Sequence, residues 1–252
     1  MKKHKRSTFS GKLGFVLSAA GASVGLGNIW RFPYLAAKYG GGIFYIILAL
    51  TFGYTLIMAE TSLGRMTRKS PVGAFESFGN SHFISIGGWI NAIIPILIVP
   101  YYSVIGGWVI KYLIEYFAGH SKTLAGDAYF TTFISNGWST EICFIIFTLF
   151  TLGIIYAGVR NGIERVSRFM ILIVLSLIIA VYSVTRPGAI EGVKYFLVPN
   201  FDHFSWMTVV SAMGQMFYSL SIAMGILITF GSYMKKDTSI EKSTENVEIF
   251  DT

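Results

Sequence analysis

The composition of this 252-residue chain indicates a membrane protein. Hydrophobic residues make up 53% of it and charged residues only 13%, whereas soluble domains carry roughly 25% charged residues. The formal net charge of +7 does not indicate a nucleic-acid partner, because the basic residues are spread over the ends of apolar segments and form no single basic face. The one cysteine, Cys143, excludes an intramolecular disulfide.

Six apolar runs follow one another along the chain, and their lengths suit membrane-spanning helices, which require about 20 residues. They lie near residues 13–38, 42–64, 84–117, 141–158, 166–185 and 205–233. The third run is long enough to be strongly tilted or to project beyond the bilayer. Pro95 and Pro100 lie inside it and are expected to kink it without ending it. The sequence therefore predicts an all-α, polytopic membrane protein.

The distribution of Lys and Arg predicts the orientation of these spans. Most of the basic residues fall in the N-terminal tail, in the loops after spans two and four, and in the tail after span six. Cytoplasmic segments of membrane proteins carry an excess of Lys and Arg. Both termini of this chain are therefore predicted to be cytoplasmic.

The first span contains a segment that a regular membrane helix would not carry. Its central residues include Gly21, Gly25, Gly27, Asn28 and Arg31. Glycine weakens a helix by roughly 1 kcal/mol relative to alanine. Non-helical backbone at membrane depth is tolerated only where it is buried in protein or lines a cavity. The segment therefore predicts a broken helix built around a binding site.

The sixth span repeats this pattern, with Gln215, Ser219, Ser221, Ala223 and Gly225 at its centre. Interrupted helices at corresponding positions of two successive five-helix units are typical of inverted-repeat secondary transporters. Free N–H groups at a half-helix N-terminus suit a carboxylate, and unwound carbonyl groups suit sodium. The alternative is that small residues only allow close helix packing, but an amide side chain in each cluster, Asn28 and Gln215, argues against it.

With these motifs the chain resembles the neurotransmitter:sodium symporter family, in its bacterial amino-acid branch. The resemblance runs from about Ser10 to the C-terminus and is carried by residues 21–33, 40–42, 60–65, 95–108, 162–165 and 215–233. It implies an inverted-repeat sodium symporter fold with discontinuous helices one and six. Because members of the family have eleven or twelve spans, the chain is expected to be truncated after span six.

The resemblance also implies a division of the chain. Residues 1–12 would form a cytoplasmic tail and 13–185 the first five-helix repeat. Residues 186–234 would form an extracellular loop and the span that opens the second repeat, and 235–252 a cytoplasmic loop leading to a missing seventh span.

The expected function is sodium-coupled import of an amino acid by alternating access across a bacterial inner membrane, with this chain as a partial transporter. The alternative is a truncated or decayed membrane protein that does not transport and has a structural or partner-binding role. No enzyme is expected, because the chain carries no zinc-protease, serine-hydrolase or nucleotide-binding motif. No cofactor other than the coupling ions is expected, and the sequence leaves the oligomeric state open.

The resemblance implies a substrate site. Backbone N–H groups of Leu26 and Gly27, with the Tyr102 hydroxyl, would bind a carboxylate, and the ammonium would face the carbonyl groups of Ala22, Tyr218 and Ser219 and the Ser221 hydroxyl. The side-chain pocket would consist of Ile98, Tyr102, Tyr218, Ser221 and Met224. Gly25 stands where the amine-transporting branch has an Asp. The glycine leaves room for a substrate that carries its own carboxylate, which favours an amino acid as the substrate. The methionine side chain is flexible and adapts to ligands of different shape, so we expect a substrate with a bulky apolar or aromatic side chain.

By the same resemblance, a first sodium ion would be held by the Ser23 carbonyl, the Asn28 side chain and Ser219, together with the substrate carboxylate. That shared ligand would couple sodium to substrate. Gly21 and Val24 carbonyl groups would contribute to a second sodium site.

Chloride dependence stays open. By the same resemblance, the candidate ligands of a chloride ion are Tyr45, Gln215 and Ser219. The chain is about three residues shorter than the family pattern between Phe44 and Tyr45, and three residues turn a helix by roughly 300°. Either span two changes register or Tyr45 points elsewhere.

Two gates are implied as well. Arg31 would close over Tyr102 and Tyr218 on the outer side, with an acidic partner beyond residue 252, or else extend to the lipid headgroups. Arg6 and Tyr233 would belong to a cytoplasmic gate, or else be an ordinary inside-positive charge and an interfacial aromatic residue. Glu60, an acid inside a span, is expected to cap free N–H groups around the break of span six.

Overall fold

The structure, a computed structural model, describes residues 8–23, 25, 27–39, 42–79, 81–167, 180–198 and 204–251. Within these ranges every regular element is helical. The α-helices are α1 (Lys12–Ser23), α2 (Phe32–Tyr39), α3 (Gly42–Leu48), α4 (Tyr54–Thr67), α5 (Pro71–Glu76), α6 (His82–Phe117), α7 (Ser121–Leu124), α8 (Tyr129–Ser135), α9 (Gly137–Tyr156), α10 (Glu164–Ser167), α11 (Ala189–Leu197), α12 (Trp206–Ser219), α13 (Ile226–Tyr233) and α14 (Ile240–Asp251). Short π-helical turns occur at Gly27–Arg31, Ala49–Gly53 and Val159–Ile163.

Three of the described helices are long and apolar enough to cross a membrane: Gly42–Thr67, His82–Phe117 and Gly137–Tyr156. They correspond to predicted spans two, three and four. Predicted span three, His82–Phe117, runs without interruption through Pro95 and Pro100. Span one is divided into α1, a π-helical turn and α2, and span six into α12 and α13, as the glycine and polar clusters predict. Most of predicted span five lies outside the described residues.

The described chain forms two compact units, one within residues 1–92 and 159–252 and the other within 93–158. The first unit contains both broken spans. Its core is built from apolar side chains of α1, α4, α12, α13 and α14, among which Phe15, Ile57, Met216, Leu227 and Val247 are buried. In the second unit the later part of α6 packs on α9, with Gly107 against the backbone of Phe144.

Side-chain hydrogen bonds, one set local and one long-range, are found where two of the broken helices begin. Before α12, Ser205 and Thr208 form a reciprocal capping box, which satisfies N–H groups that the first turn leaves free. Before α1, the buried carboxylate of Glu164 accepts the Ser10 N–H at 2.9 Å and also the Ser10 hydroxyl. Lys235 Nζ donates to the Ser10 carbonyl at 2.6 Å. The residue that precedes α1 is thus held by both α10 and the segment after α13.

The C-terminal residues differ from the prediction of a loop over 235–252. Residues Ile240–Asp251 form α14, which packs against α1 and α4. Its buried residues are Ser243, Thr244, Val247, Glu248 and Asp251. They recur at helical spacing along one face, but four of the five are polar, so their composition resembles that of a solvated tail.

Helices α4 and α13 approach each other through glycines. A Cβ atom at Gly64 would overlap the carbonyl group of Ile228, and one at Gly231 would overlap the carbonyl oxygen of Thr61. In hydrocarbon, helix association depends on close packing because burial from lipid provides no hydrophobic drive. Glycine at these two positions therefore permits the close approach of α4 and α13, the second half of span six.

We expect Gly64→Ala to destabilise the fold by about 1–3 kcal/mol, the usual cost of overpacking a filled interior. Thermal unfolding of the purified chain in detergent, followed by circular dichroism, measures the effect. Gly153→Ala on α9 is the matched control, since no atom lies within 4 Å of the added Cβ. Equal melting temperatures for the two variants would contradict the proposed role of Gly64.

Candidate functional site

The two interrupted spans meet at their breaks. The Ser221 hydroxyl donates to the Ala22 carbonyl oxygen at 3.2 Å. The Gln215 side-chain amide donates to the Gly27 carbonyl oxygen, also at 3.2 Å. Two side chains of span six thus bind backbone carbonyl groups on either side of the break in span one. The structure therefore brings together the two segments that the sequence singled out.

The break in span six is a short coil between α12 and α13 with an unusual backbone. Ser221, Ala223 and Gly225 have φ angles of 56°, 60° and 66°. Non-glycine residues in this left-handed region cost roughly 1–3 kcal/mol each and persist where surrounding contacts impose them. Such backbone is found preferentially at functional sites. The conformation places residues 221–225 among side chains from other helices.

Two side chains from outside span six bind N–H groups of this coil. Glu60 Oε1 accepts the Ala223 N–H at 2.7 Å, which confirms the predicted capping role of Glu60. Asn91 Oδ1 accepts the Gly225 N–H at 3.1 Å. Sequence reasoning missed Asn91, because a single amide within an apolar run shows no pattern that assigns it a partner.

Asp251 lies at the centre of a polar cluster. Its carboxylate accepts hydrogen bonds from Asn28 Nδ2 at 3.0 Å, from the Tyr45 hydroxyl at 3.1 Å and from the Ser219 hydroxyl at 3.1 and 3.2 Å. The predicted sodium ligands Asn28 and Ser219 therefore meet on one anion. The sequence offers one signal for Asp251, its place on the same helical face as Ser243 and Val247, but the polar composition around it predicts a solvated tail.

Tyr45 of span two faces the polar cluster. It is buried, with 4% of its surface exposed, and its hydroxyl reaches Asp251. A π-helical turn, Ala49–Gly53, follows directly, and such a turn shifts the faces of the residues around it relative to a regular α-helix. Tyr45 thus faces the cluster from the helical segment that precedes this turn. Gln215, the third candidate chloride ligand, instead binds Gly27 and Arg31.

Arg31 contacts span six directly. Its Nη1 donates to Gln215 Oε1 at 3.0 Å, and its guanidinium carbon lies 4.9 Å from the centre of the Tyr218 ring. This geometry is that of a cation–π contact. Gly27 allows it, because a Cβ there would lie 2.6 Å from the Tyr218 ring. Arg31 and Tyr218 are thus brought together as predicted for the outer gate, with Gln215 as a partner that was not predicted.

The remaining predicted residues are distributed as follows. Arg6, Val24 and Leu26 lie outside the described residues. Ile98 and Tyr102 belong to α6 in the second unit, where the Tyr102 ring meets Tyr101 edge-on. In the first unit, Gly21 and Ser23 lie on α1 and Met224 in the break of span six. The Tyr233 carbonyl accepts the Phe9 N–H at 3.2 Å.

A family model described as "Sodium:neurotransmitter symporter family" matches residues 6–144 and 131–251. The chain belongs to this family. It is 34% identical over 98% of its length to "Uncharacterized sodium-dependent transporter YhdH" of Bacillus subtilis, of which it covers 56%. It is 33% identical over 99% of its length to "Uncharacterized sodium-dependent transporter MJ1319" of Methanocaldococcus jannaschii, of which it covers 54%.

Among solved structures, the chain matches "Crystal structure of MhsT in complex with L-phenylalanine" with a TM-score of 0.90 and 32% identity. The match covers 98% of this chain and 58% of that one. The chain therefore has the fold of the corresponding part of that transporter. It spans about half the length of the curated relatives that it matches.

Proposed function

We propose that the chain forms the N-terminal half of a sodium-coupled amino-acid importer and carries most of the substrate site. The observation on which this depends is the contact between two broken spans through Ser221 and Gln215. Breaks that meet at membrane depth present half-helix ends to anionic groups and unwound carbonyl groups to cations. Family membership and the sodium-dependent relatives support the same proposal.

The proposed coupling uses residues on both sides of the breaks. Ser23 and Asn28 would contribute oxygen ligands to a sodium ion from span one, and Ser219 from span six, with the substrate carboxylate as a further ligand. Gly21 and Val24 would contribute to a second sodium ion. Because the first ion and the substrate share a ligand, each would bind weakly without the other.

For the substrate we propose an amino acid with a bulky apolar or aromatic side chain. Gly25 leaves space where a side-chain carboxylate would otherwise pair the substrate ammonium. Its N–H instead donates to Asn28 Oδ1 at 3.3 Å, which orients that amide. The named ligand of the matching solved structure, L-phenylalanine, supports an aromatic substrate. The proposed location is a bacterial plasma membrane, with the Lys- and Arg-rich segments in the cytoplasm.

Sodium-dependent binding of L-phenylalanine to the purified chain, with potassium as the replacement cation, tests this proposal. We expect binding that needs sodium and is competed by leucine or tryptophan but not by aspartate. Gly27→Ala should weaken it at least ~10-fold, equivalent to about 1.4 kcal/mol, because the added methyl group displaces Tyr218.

The matched control for this measurement is Gly214→Ala on α12, where no atom lies within 4 Å of the new Cβ, so binding should be unchanged. Binding that is indifferent to sodium, or competed only by small or acidic amino acids, would contradict the proposal. The same is true if the unmodified chain does not bind at all.

We further propose that this chain needs no chloride. Two of the three candidate chloride ligands, Tyr45 and Ser219, donate to the carboxylate of Asp251. That carboxylate would supply, beside the first sodium site, the negative charge that a chloride ion would otherwise bring. An anion at this place would complete the hydrogen bonds of the hydroxyl groups and balance the charge of sodium.

Replacement of Asp251 by Ala should make ligand binding depend on chloride. We expect the unmodified chain to bind equally in sodium chloride and sodium gluconate, whereas Asp251→Ala binds at least ~10-fold more weakly in gluconate, about 1.4 kcal/mol. Glu248→Ala, which removes another buried acid on the same helix, should leave binding equal in both salts. Chloride dependence of the unmodified chain would overturn the proposal.

A further inference from the structure

The coil that breaks span six has N–H groups that bind side chains of other helices and not its own backbone. Within the coil, the Ser221 and Ile222 N–H groups bind carbonyl groups of α12, at Tyr218 and Phe217. The N–H groups of Ala223 and Gly225 instead reach side chains of other helices, Glu60 on α4 and Asn91 on α6. Both of these N–H groups lie just before α13, where the N-terminal N–H groups of a helix have no intrahelical partner.

Asn91 is well placed to hold this point rigidly. It is 9% exposed, and its Nδ2 donates to the Gly87 carbonyl oxygen of its own helix at 3.0 Å. The amide is thus fixed in orientation, with Oδ1 directed at Gly225. Asn91 belongs to the first unit, as do all the groups that it contacts here.

Gly225 is enclosed by the same part of the structure. A Cβ at this position would lie 2.6 Å from the Pro71 ring of α5 and 2.9 Å from the Asn91 carbonyl oxygen. Its φ of 66° also favours glycine. Helix α5 in turn lies close to α6, since a Cβ at Gly88 would be 2.8 Å from the Cα atom of Val72. The break in span six thus packs at Gly225 against Pro71 of α5 and Asn91 of α6.

From these contacts we propose that Asn91 is a positioning residue for the ligand site, which it serves by anchoring the start of α13 at Gly225. The inference rests on the proposed function above. The hydroxyl group of Ser219, at the end of α12, binds Asp251, and that of Ser221, within the coil, binds the Ala22 carbonyl group. Their positions depend on where the coil is held, and Asn91 and Glu60 are the side chains that hold it, one at each of two alternate residues.

Hydrogen–deuterium exchange of the purified 252-residue chain, analysed by mass spectrometry, tests the anchor without requiring a ligand. Asn91→Leu, of similar size but without hydrogen-bonding atoms, should speed exchange in peptides covering residues 222–226 by about tenfold. Asn91→Ala is measured alongside, so that the comparison holds if leucine does not fit. Asn91→Asp keeps the acceptor for the Gly225 N–H and should restore slow exchange.

The matched control is Asn136→Leu. Asn136 Oδ1 accepts the Ser139 N–H at 3.2 Å and so caps α9 in the second unit. This variant should speed exchange near residue 139 and leave residues 222–226 unchanged. The inference is overturned if Asn91→Leu and Asn91→Ala leave residues 222–226 as protected as in the unmodified chain, or speed exchange equally throughout the first unit.

A second arm separates this inference from the proposed function. Sodium with L-phenylalanine should slow exchange at residues 222–226 of the unmodified chain, and Asn91→Leu should require at least ~10-fold more sodium for the same protection. Absence of protection in the unmodified chain would count against the proposed function alone, because the ligand-free comparison still judges Asn91. Protection at unchanged sodium concentration in Asn91→Leu would show that Asn91 does not position the site.

Discussion

The need to satisfy backbone N–H and C=O groups at two interruptions of membrane helices governs the rest of this structure. Each such group left without a partner in hydrocarbon costs several kcal/mol. In span six the partners are a carboxylate, Glu60, and an amide, Asn91, which two other helices contribute. In span one the Ala22 and Gly27 carbonyl groups are bound by Ser221 and Gln215. Glu60, Asn91, Ser221 and Gln215, polar residues in apolar segments, thus bind backbone groups at the breaks.

Asp251 joins separate parts of the chain by the same principle. A buried carboxylate is costly unless it is hydrogen-bonded or paired, and this one accepts from α3, α12 and the π-helical turn that begins at Gly27. Helix α14 is thereby tied to both broken spans, although its buried face is largely polar. Tyr45 and Ser219 donate to the same carboxylate, so their positions are linked. Removal of either donor would leave the buried charge with fewer hydrogen bonds.

Glycines serve two different purposes in this chain. Gly225 has a backbone conformation that favours glycine, with φ of 66°. Gly64 and Gly231 lie in regular helices and permit α4 and α13 to touch. A break in a helix and close helix packing therefore both depend on glycine in this chain, but at different residues. The distinction depends on whether a neighbouring helix lies against the glycine, which periodicity does not reveal.

The sequence by itself determined that the chain forms membrane helices, that spans one and six are interrupted, and that Glu60, an acid inside a span, needs a partner there. These follow from composition and from local cost, because glycine and polar groups in an apolar run are unfavourable wherever the run is placed. Only the tertiary structure decided that residues 240–251 are helical and that Asp251, Tyr45 and Asn91 face the breaks. Each of these depends on which side of a helix meets its neighbours. A single π-helical turn, such as Ala49–Gly53, changes that side without any signal in hydrophobicity.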